Sequence, residues 1–113
     1  MSKRLWETVK TGSTFELECL YKQDGTPVDL TALTIESQVR SRRGALLAEL
    51  AVTKANQGTD PGVFTLSCGD SVTAAWPDGD NAMDIRITDA SKTYYSETLA
   101  VRTVKGITEE VEV

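Results

Sequence analysis

The sequence predicts an all-β chain: short antiparallel strands stacked in a sandwich, with one helical turn. Three observations predict it. Apolar residues recur at every second position in segment after segment, the period of a sheet with one buried and one wet face. Clusters of Gly, Asp, Asn, Ser and Pro punctuate those segments at short intervals, as in sandwiches and small barrels. Only residues 70–76 read as helix, so no strand–helix alternation argues for a parallel sheet.

Met1 to Lys10 reads as an amino-terminal arm, in which Leu5, Trp6 and Val9 can dock or form a short edge strand. Lys10-Thr11-Gly12-Ser13 is a turn. Thr14 to Tyr21 is the first clear strand, with Phe15, Leu17, Cys19 and Tyr21 on one face and Glu16 and Glu18 on the other. Asp24-Gly25 is a tight-turn dipeptide, since Gly accepts positive φ without steric cost. Pro27 has no N–H and a fixed φ, which suits the exit of a turn. Val28 and Leu30 then alternate with Asp29.

Thr34 to Arg40 is the second strand, with Ile35, Ser37 and Val39 facing in. After the turn Ser41–Gly44, Ala45 to Thr53 reads as one strand with Leu46, Ala48, Leu50 and Val52 on a single face. Residues 56–62 (NQGTDPG) are a dense turn cluster. Val63 to Cys68 follows with Phe64, Leu66 and Cys68 in phase. Asp70 to Trp76 is the helical stretch, capped by Asp70 or Ser71 and ended by Pro77. Its length, about two turns, suits a corner between sheets. Ala82 to Thr88 places Met83, Ile85 and Ile87 inward, and Thr93 to Val104 is a last long strand with Leu99 and Val101 toward the core. Six or seven such strands predict an immunoglobulin-like antiparallel β-sandwich, with a small barrel as the alternative. The expected division is an arm at 1–10, a sandwich at 11–105 and an acidic tail at 106–113.

The chain has 113 residues, a single domain's length. Its net charge is −5 and its pI about 4.7, which disfavours general binding to nucleic acid or anionic membranes. No apolar run is long enough to span a bilayer, and no apolar stretch follows Lys3 and Arg4, so no secretion signal is read. Without one, Cys19 and Cys68 read as small buried hydrophobes, reduced in a cytosol, with a disulfide as the alternative. There is no histidine, which removes the commonest general base and the commonest metal ligand.

No set of residues spells out a reaction. Asp78, Asp80 and Asp84 do not have the spacing of a calcium loop and read as a polar turn leading into a strand. The serines have no GxSxG elbow and no base, and no glycine-rich phosphate loop is present. Arg40, Arg42 and Arg43 form the basic cluster, a solvated loop or a contact with an acidic protein surface, ranked above a contact with nucleic acid because no aromatic is interleaved to stack bases. Trp76 reads as a core plug. Trp6, beside Lys3 and Arg4, is the better candidate for docking on a neighbour. Glu109, Glu110 and Glu112 close the chain with the opposite charge; solvated ends are the default reading, and in an oligomer such ends can pair between subunits.

The motifs together resemble a known group. The stretch TGSTFELECLYKQDGTPVDLTALTIESQVRS, the Gly62-x-Phe64-x-Leu66 strand, the Ala-rich turn ending Trp76-Pro77-x-Gly79 and the Asp84-Ile-Arg-Ile-Thr-Asp89 strand resemble small β-sandwich proteins of tailed bacteriophages and prophages. These include the amino-terminal domains of baseplate proteins that hold receptor-binding proteins. The resemblance runs from about Thr11 to Val104 and rests on turn and strand signals. It implies a non-enzymatic virion component, made in the host cytoplasm and built into the tail tip, baseplate, fibre attachment or neck. It implies no catalytic residue and no cofactor. The partners it implies are other virion proteins and further copies of the chain, with no nucleic acid, membrane or small-molecule substrate. Lys3, Arg4, Trp6, Arg40, Arg42, Arg43, Glu109 and Glu110 are the expected interface residues. A capsid decoration protein and a carbohydrate- or host-surface-binding module are the alternatives.

Overall fold

Alternating strands become a fold only when their apolar faces find each other, and here they do so as two facing sheets. The computed structural model describes residues 6–96 and 98–105, with side chains from Thr8 onward. The strands are β1 (Trp6–Lys10), β2 (Phe15–Leu20), β3 (Lys22–Gln23), β4 (Thr26–Pro27), β5 (Thr34–Arg40), β6 (Leu46–Glu49), β7 (Ala51–Lys54), β8 (Val63–Cys68), β9 (Gly79–Thr88), β10 (Thr93–Tyr95) and β11 (Leu99–Val104). One helix, α1 (Asp70–Thr73), lies between β8 and β9. The larger sheet runs β1-β11-β9-β5-β6, with β10 also on β9, and the smaller runs β2-β8-β7. The pairs are antiparallel except β1 with β11, where Trp6 lies opposite Ala100 and Lys10 opposite Val104. The all-β sandwich is the architecture the alternation predicts, with the parallel β1–β11 pair as the departure from an all-antiparallel one.

The core forms between the two inner faces. Phe15, Ile35, Val39, Phe64, Leu66, Met83, Ile85, Ile87 and Val101 are buried there, and Leu17, Cys19 and Leu99 pack against them. Each large apolar side chain so buried contributes roughly 1.5–3 kcal/mol. Asp24 (φ 51) and Gly25 (φ 78) both take positive φ, the type I′ geometry that closes a two-residue hairpin, here between β3 and β4. Gly62 is needed where it stands. Its φ is +83, and a Cβ there would lie 2.6 Å from the Tyr21 carbonyl oxygen.

Five expectations are corrected. The strand expected at Ala45–Thr53 is two, β6 in the larger sheet and β7 in the smaller, with buried Leu50 at the crossing. Its N–H donates to the Ser37 carbonyl at 2.9 Å. A bulge beside Val39 and Arg40 sets Ala48 opposite Val39 but Leu46 opposite Arg40. The alternation changes phase there, so Leu46 is exposed and Leu47 packs against the core instead. The strand expected at Thr93–Val104 is broken into β10 and β11. At the break the Ser96 N–H donates to the Ile85 carbonyl at 2.8 Å, and its Oγ accepts the Ile85 N–H at 2.9 Å.

The helix is shorter than expected, and its N-cap is Gly69 with no side-chain cap, so neither Asp70 nor Ser71 caps it. Single turns carry the chain on to Trp76 before Pro77. Trp76 is buried against Phe15, ring centroids 6.0 Å apart and tilted by 58°, as a core plug should be. Finally, of the two readings of the amino-terminal arm, residues 6–10 take the edge strand, and Val9 belongs to the core. Cys68 lies opposite Phe15 and Cys19 opposite Phe64. Four residues of strand separate them by about 13 Å, too far for a disulfide, and both thiols are free.

Candidate protein-interaction site

The loop between β5 and β6 owes its shape to its own backbone. The Ser41 N–H donates to the Ala45 carbonyl at 2.9 Å and the Gly44 N–H to the Ser41 carbonyl at 2.9 Å, with Gly44 at φ +86. Arg42 and Arg43 are left at the exposed tip. Arg40 does a different job. Its Nη1 donates to the Gly44 carbonyl at 2.9 Å and its Nη2 to Gln38 Oε1 at 2.8 Å, so its guanidinium fastens the loop.

The loop leans over β9. Arg42 Nε donates to the Asp80 carbonyl at 3.3 Å, and its Nη2 lies 4.0 Å from Asp80 Oδ2. From the other side, Arg102 Nε donates to Asp80 Oδ1 at 3.2 Å, because β11 sets Arg102 opposite Asp80. Two guanidiniums thus share one carboxylate, which leaves a positive charge uncompensated. The Arg42 side chain is 75% exposed and that of Arg102 60%, so these pairs add little stability. Their consequence is the sign of the surface. At this end the larger sheet and its loops carry Lys10, Arg40, Arg42, Arg43 and Arg102 against Asp70, Asp78 and Asp80. A chain of net charge −5 therefore has a cationic end.

Buried polar bonds brace that end. Asn81 Nδ2 donates to the Pro77 carbonyl at 3.1 Å and to Thr103 Oγ1 at 3.0 Å, tying the turn before β9 to β11. Thr73 Oγ1 donates to the Ser13 carbonyl at 2.6 Å and accepts the Gly12 N–H at 3.1 Å, tying α1 to the turn after β1. Ser41, Arg42, Arg43 and residues 77–81 line one shallow groove between loop and turn.

A second surface lies at the opposite end of the strands. Leu20, Tyr94 and Tyr95 are exposed, Tyr95 by 63%, over a groove floored by Phe64, Ile85 and Ile87. Beside Tyr95, Arg86 pairs with Glu36, whose carboxylate is the main cause raising the arginine's pKa. Cys19 lines the same groove, and burial, with a smaller effect of Glu18, pushes its thiol up to about 11. It stays protonated and unreactive at neutral pH.

The expected interface residues are thus only partly brought together. Arg40, Arg42 and Arg43 share one loop. Trp6 begins β1, but its side chain, like Lys3, Arg4, Glu109 and Glu110, lies outside the described residues. Asp78, Asp80 and Asp84 do not converge; Asp80 goes to the arginines, and Asp84 lies opposite Gln38. Among the described residues, no three His, Cys, Asp or Glu gather closely enough to hold a metal ion, and no helix is long and apolar enough to cross a membrane. Sequence reading missed Asp80 as the hub and Arg102 as its second cation. Both stand on the wet phase of their strands, and only the β9–β11 register joins them. No protein-family model matches the chain, and neither does any curated protein.

Proposed function

We propose that the chain is a non-enzymatic structural component of a tailed-phage virion, working by protein–protein contacts in the tail tip, baseplate, fibre attachment or neck. One observation carries the assembly reading: the cationic end built on Asp80 in an otherwise acidic molecule. A surface of one sign, on a rigid sheet end of the opposite overall sign, steers and orients protein partners. The phage context comes from the resemblance of the turn and strand motifs between Thr11 and Val104. Those motif residues set backbone geometry, as Gly25 and Gly62 do, so they speak for the scaffold, and the charged end speaks for its use. A capsid decoration protein would use the same surface.

Fractionation tests this reading. Particles purified on a density gradient from cells producing the encoding phage carry the chain in the particle band. A chain found only in the soluble fraction contradicts the proposal.

A second reading, a carbohydrate- or host-surface-binding module, draws on exposed Tyr95 beside the Arg86–Glu36 pair. An aromatic face next to paired polar groups suits a sugar ring. It requires glycan binding by the isolated chain that is lost in Tyr95→Ala; no binding across a glycan array removes it.

A further inference from the structure

We infer that the outer face of the larger sheet binds a neutral saccharide, with Tyr95 as the stacking platform and Asp84, Gln38 and Arg86 as the hydrogen-bonding groups. The inference rests on the second reading above and names its ligand class and residues. Strand register assembles the site. Arg86 lies opposite Glu36 of β5 on one side and Tyr95 of β10 on the other. One step along the same face, Asp84 lies opposite Gln38. The patch is about 10 Å across its three strands and about 7 Å along them, the footprint of a short saccharide. Two shallow hollows meet in it. One reaches toward Tyr95 and the other toward Arg40, and Gln38 and Asp84 line both.

Each group has capacity left over. Tyr95 is 63% exposed, and an aromatic ring offers an apolar face for the C–H side of a pyranose while its hydroxyl stays wet. The Arg86 guanidinium is held by Glu36 first and by the Tyr95 hydroxyl second, which leaves some of its five N–H groups to donate. Gln38 Oε1 accepts from Arg40 Nη2 at 2.8 Å, so its Nε2 remains as a donor. The Asp84 carboxylate has no hydrogen-bond or ion-pair partner among the described residues; it is the Asp84 backbone carbonyl that accepts from Ser37 Oγ, at 2.7 Å. A carboxylate accepts from two neighbouring hydroxyls at once, and neighbouring hydroxyls are what a sugar ring presents. The sign of the ligand follows from the same residues. Glu36 and Asp84 balance Arg86 and Arg40, so no net charge attracts an acidic sugar, and the unpaired carboxylate at the centre repels one. A protein partner fits less well. The outward side chains of the patch are polar apart from Tyr95 and Ala82, whereas protein interfaces centre on buried apolar anchors. Side chains already fixed by their own bonds leave less ordering to be done when a ligand binds.

The test titrates the full-length chain with neutral hexose trisaccharides of gluco, manno and galacto configuration, and with a trisaccharide ending in a uronic acid. Calorimetry reads affinity, and saturation-transfer NMR reads which sugar protons touch the protein. At least one neutral trisaccharide binds at about millimolar strength, with saturation concentrated on one face of a ring. Tyr95→Ala and Asp84→Ala each weaken that binding about tenfold, through the loss of a stacked ring or of charge-assisted hydrogen bonds. Tyr95→Phe keeps the ring and keeps the binding. These side chains stand on the solvent side of the sheet, so the fold persists, and a melting curve for each variant checks it. A neutral trisaccharide that binds both alanine variants as well as wild type overturns this site while the binding-module reading stands. Tighter binding of the uronic-acid trisaccharide overturns the neutral assignment. No binding of any of these sugars to wild type overturns the inference, and the glycan array then judges the second reading separately.

Discussion

The two ends of the sandwich are held by different mixes of local and long-range hydrogen bonds. At the end with the hairpin turns, two long-range bonds, from the Leu30 N–H to Gln57 Oε1 at 3.0 Å and from Lys54 Nζ to the Leu33 carbonyl at 2.6 Å, stand among side chains that fold back on their near neighbours. Asp29 Oδ1 accepts the Thr31 N–H at 2.8 Å, Asn56 Oδ1 the Gly58 N–H at 2.9 Å, and Asp89 Oδ1 the N–H groups of Ser91 and Lys92 at 2.8 and 2.7 Å. At the cationic end local bonds shape the Ser41–Ala45 loop, and the buried and cross-strand bonds join residues far apart in the chain: Thr73 to Ser13, Asn81 to Thr103, Arg102 to Asp80. Local bonds shape one turn each. Long-range bonds lock separate strands into one rigid rim, and the exposed arginines sit on that rim. A charged docking surface gains from rigidity, because less ordering is left to be done on binding.

That comparison can be broken by substitution. The largest effect is expected for Trp76→Ala, which removes the plug under the braced end and leaves a cavity against Phe15. The loss is about 3–5 kcal/mol, read from a urea unfolding curve; a loss below about 1 kcal/mol would mean the end is not held by its core. Next comes Thr73→Val, which strips the Gly12 N–H and the Ser13 carbonyl of their partner for about 1–3 kcal/mol. Asp89→Ala, at the other end, costs less, since one exposed turn loosens and no strands come apart. Equal losses in the two variants would erase the distinction between long-range and local bracing.

The smallest effect depends on pH. Hydrogen bonds from Thr31 hold the Asp29 carboxyl below its ordinary range, and backbone N–H groups of Ser91 and Lys92 do the same for Asp89. The unfolded chain binds these protons first as the pH drops. Their contribution is therefore complete above the unfolded pKa, and it is lost as pH falls below about 4 through the lower folded values. The double variant Asp29→Asn/Asp89→Asn flattens the acid limb of the stability curve relative to wild type. An identical acid limb would show that these turns contribute nothing.

The same division explains what could be read in advance. The Asp24-Gly25 hairpin, the inward sets Ile35/Ser37/Val39 and Met83/Ile85/Ile87, and the plug at Trp76 were legible because period and turn chemistry are local. The split of residues 45–53 at Leu50 was not, because a continuous alternation says nothing about which sheet each half joins. Leu46 was misplaced by a bulge that involves its partner strand. At the candidate site the cluster Arg40, Arg42 and Arg43 was visible as adjacent letters. Asp80 and Arg102, twenty-two residues apart, became neighbours only through the β9–β11 register. So did the separate roles of the arginines, with Arg40 tied into the loop and Arg42 turned toward Asp80.

The most direct test of charge-driven assembly is the mass of the full-length wild type in solution as salt rises from about 0.05 to about 0.5 M, where screening shortens from beyond ~10 Å to a few ångströms. Association at low salt that dissolves steadily as salt is added is the predicted result. A mass independent of salt, or association that strengthens with it, would contradict the account.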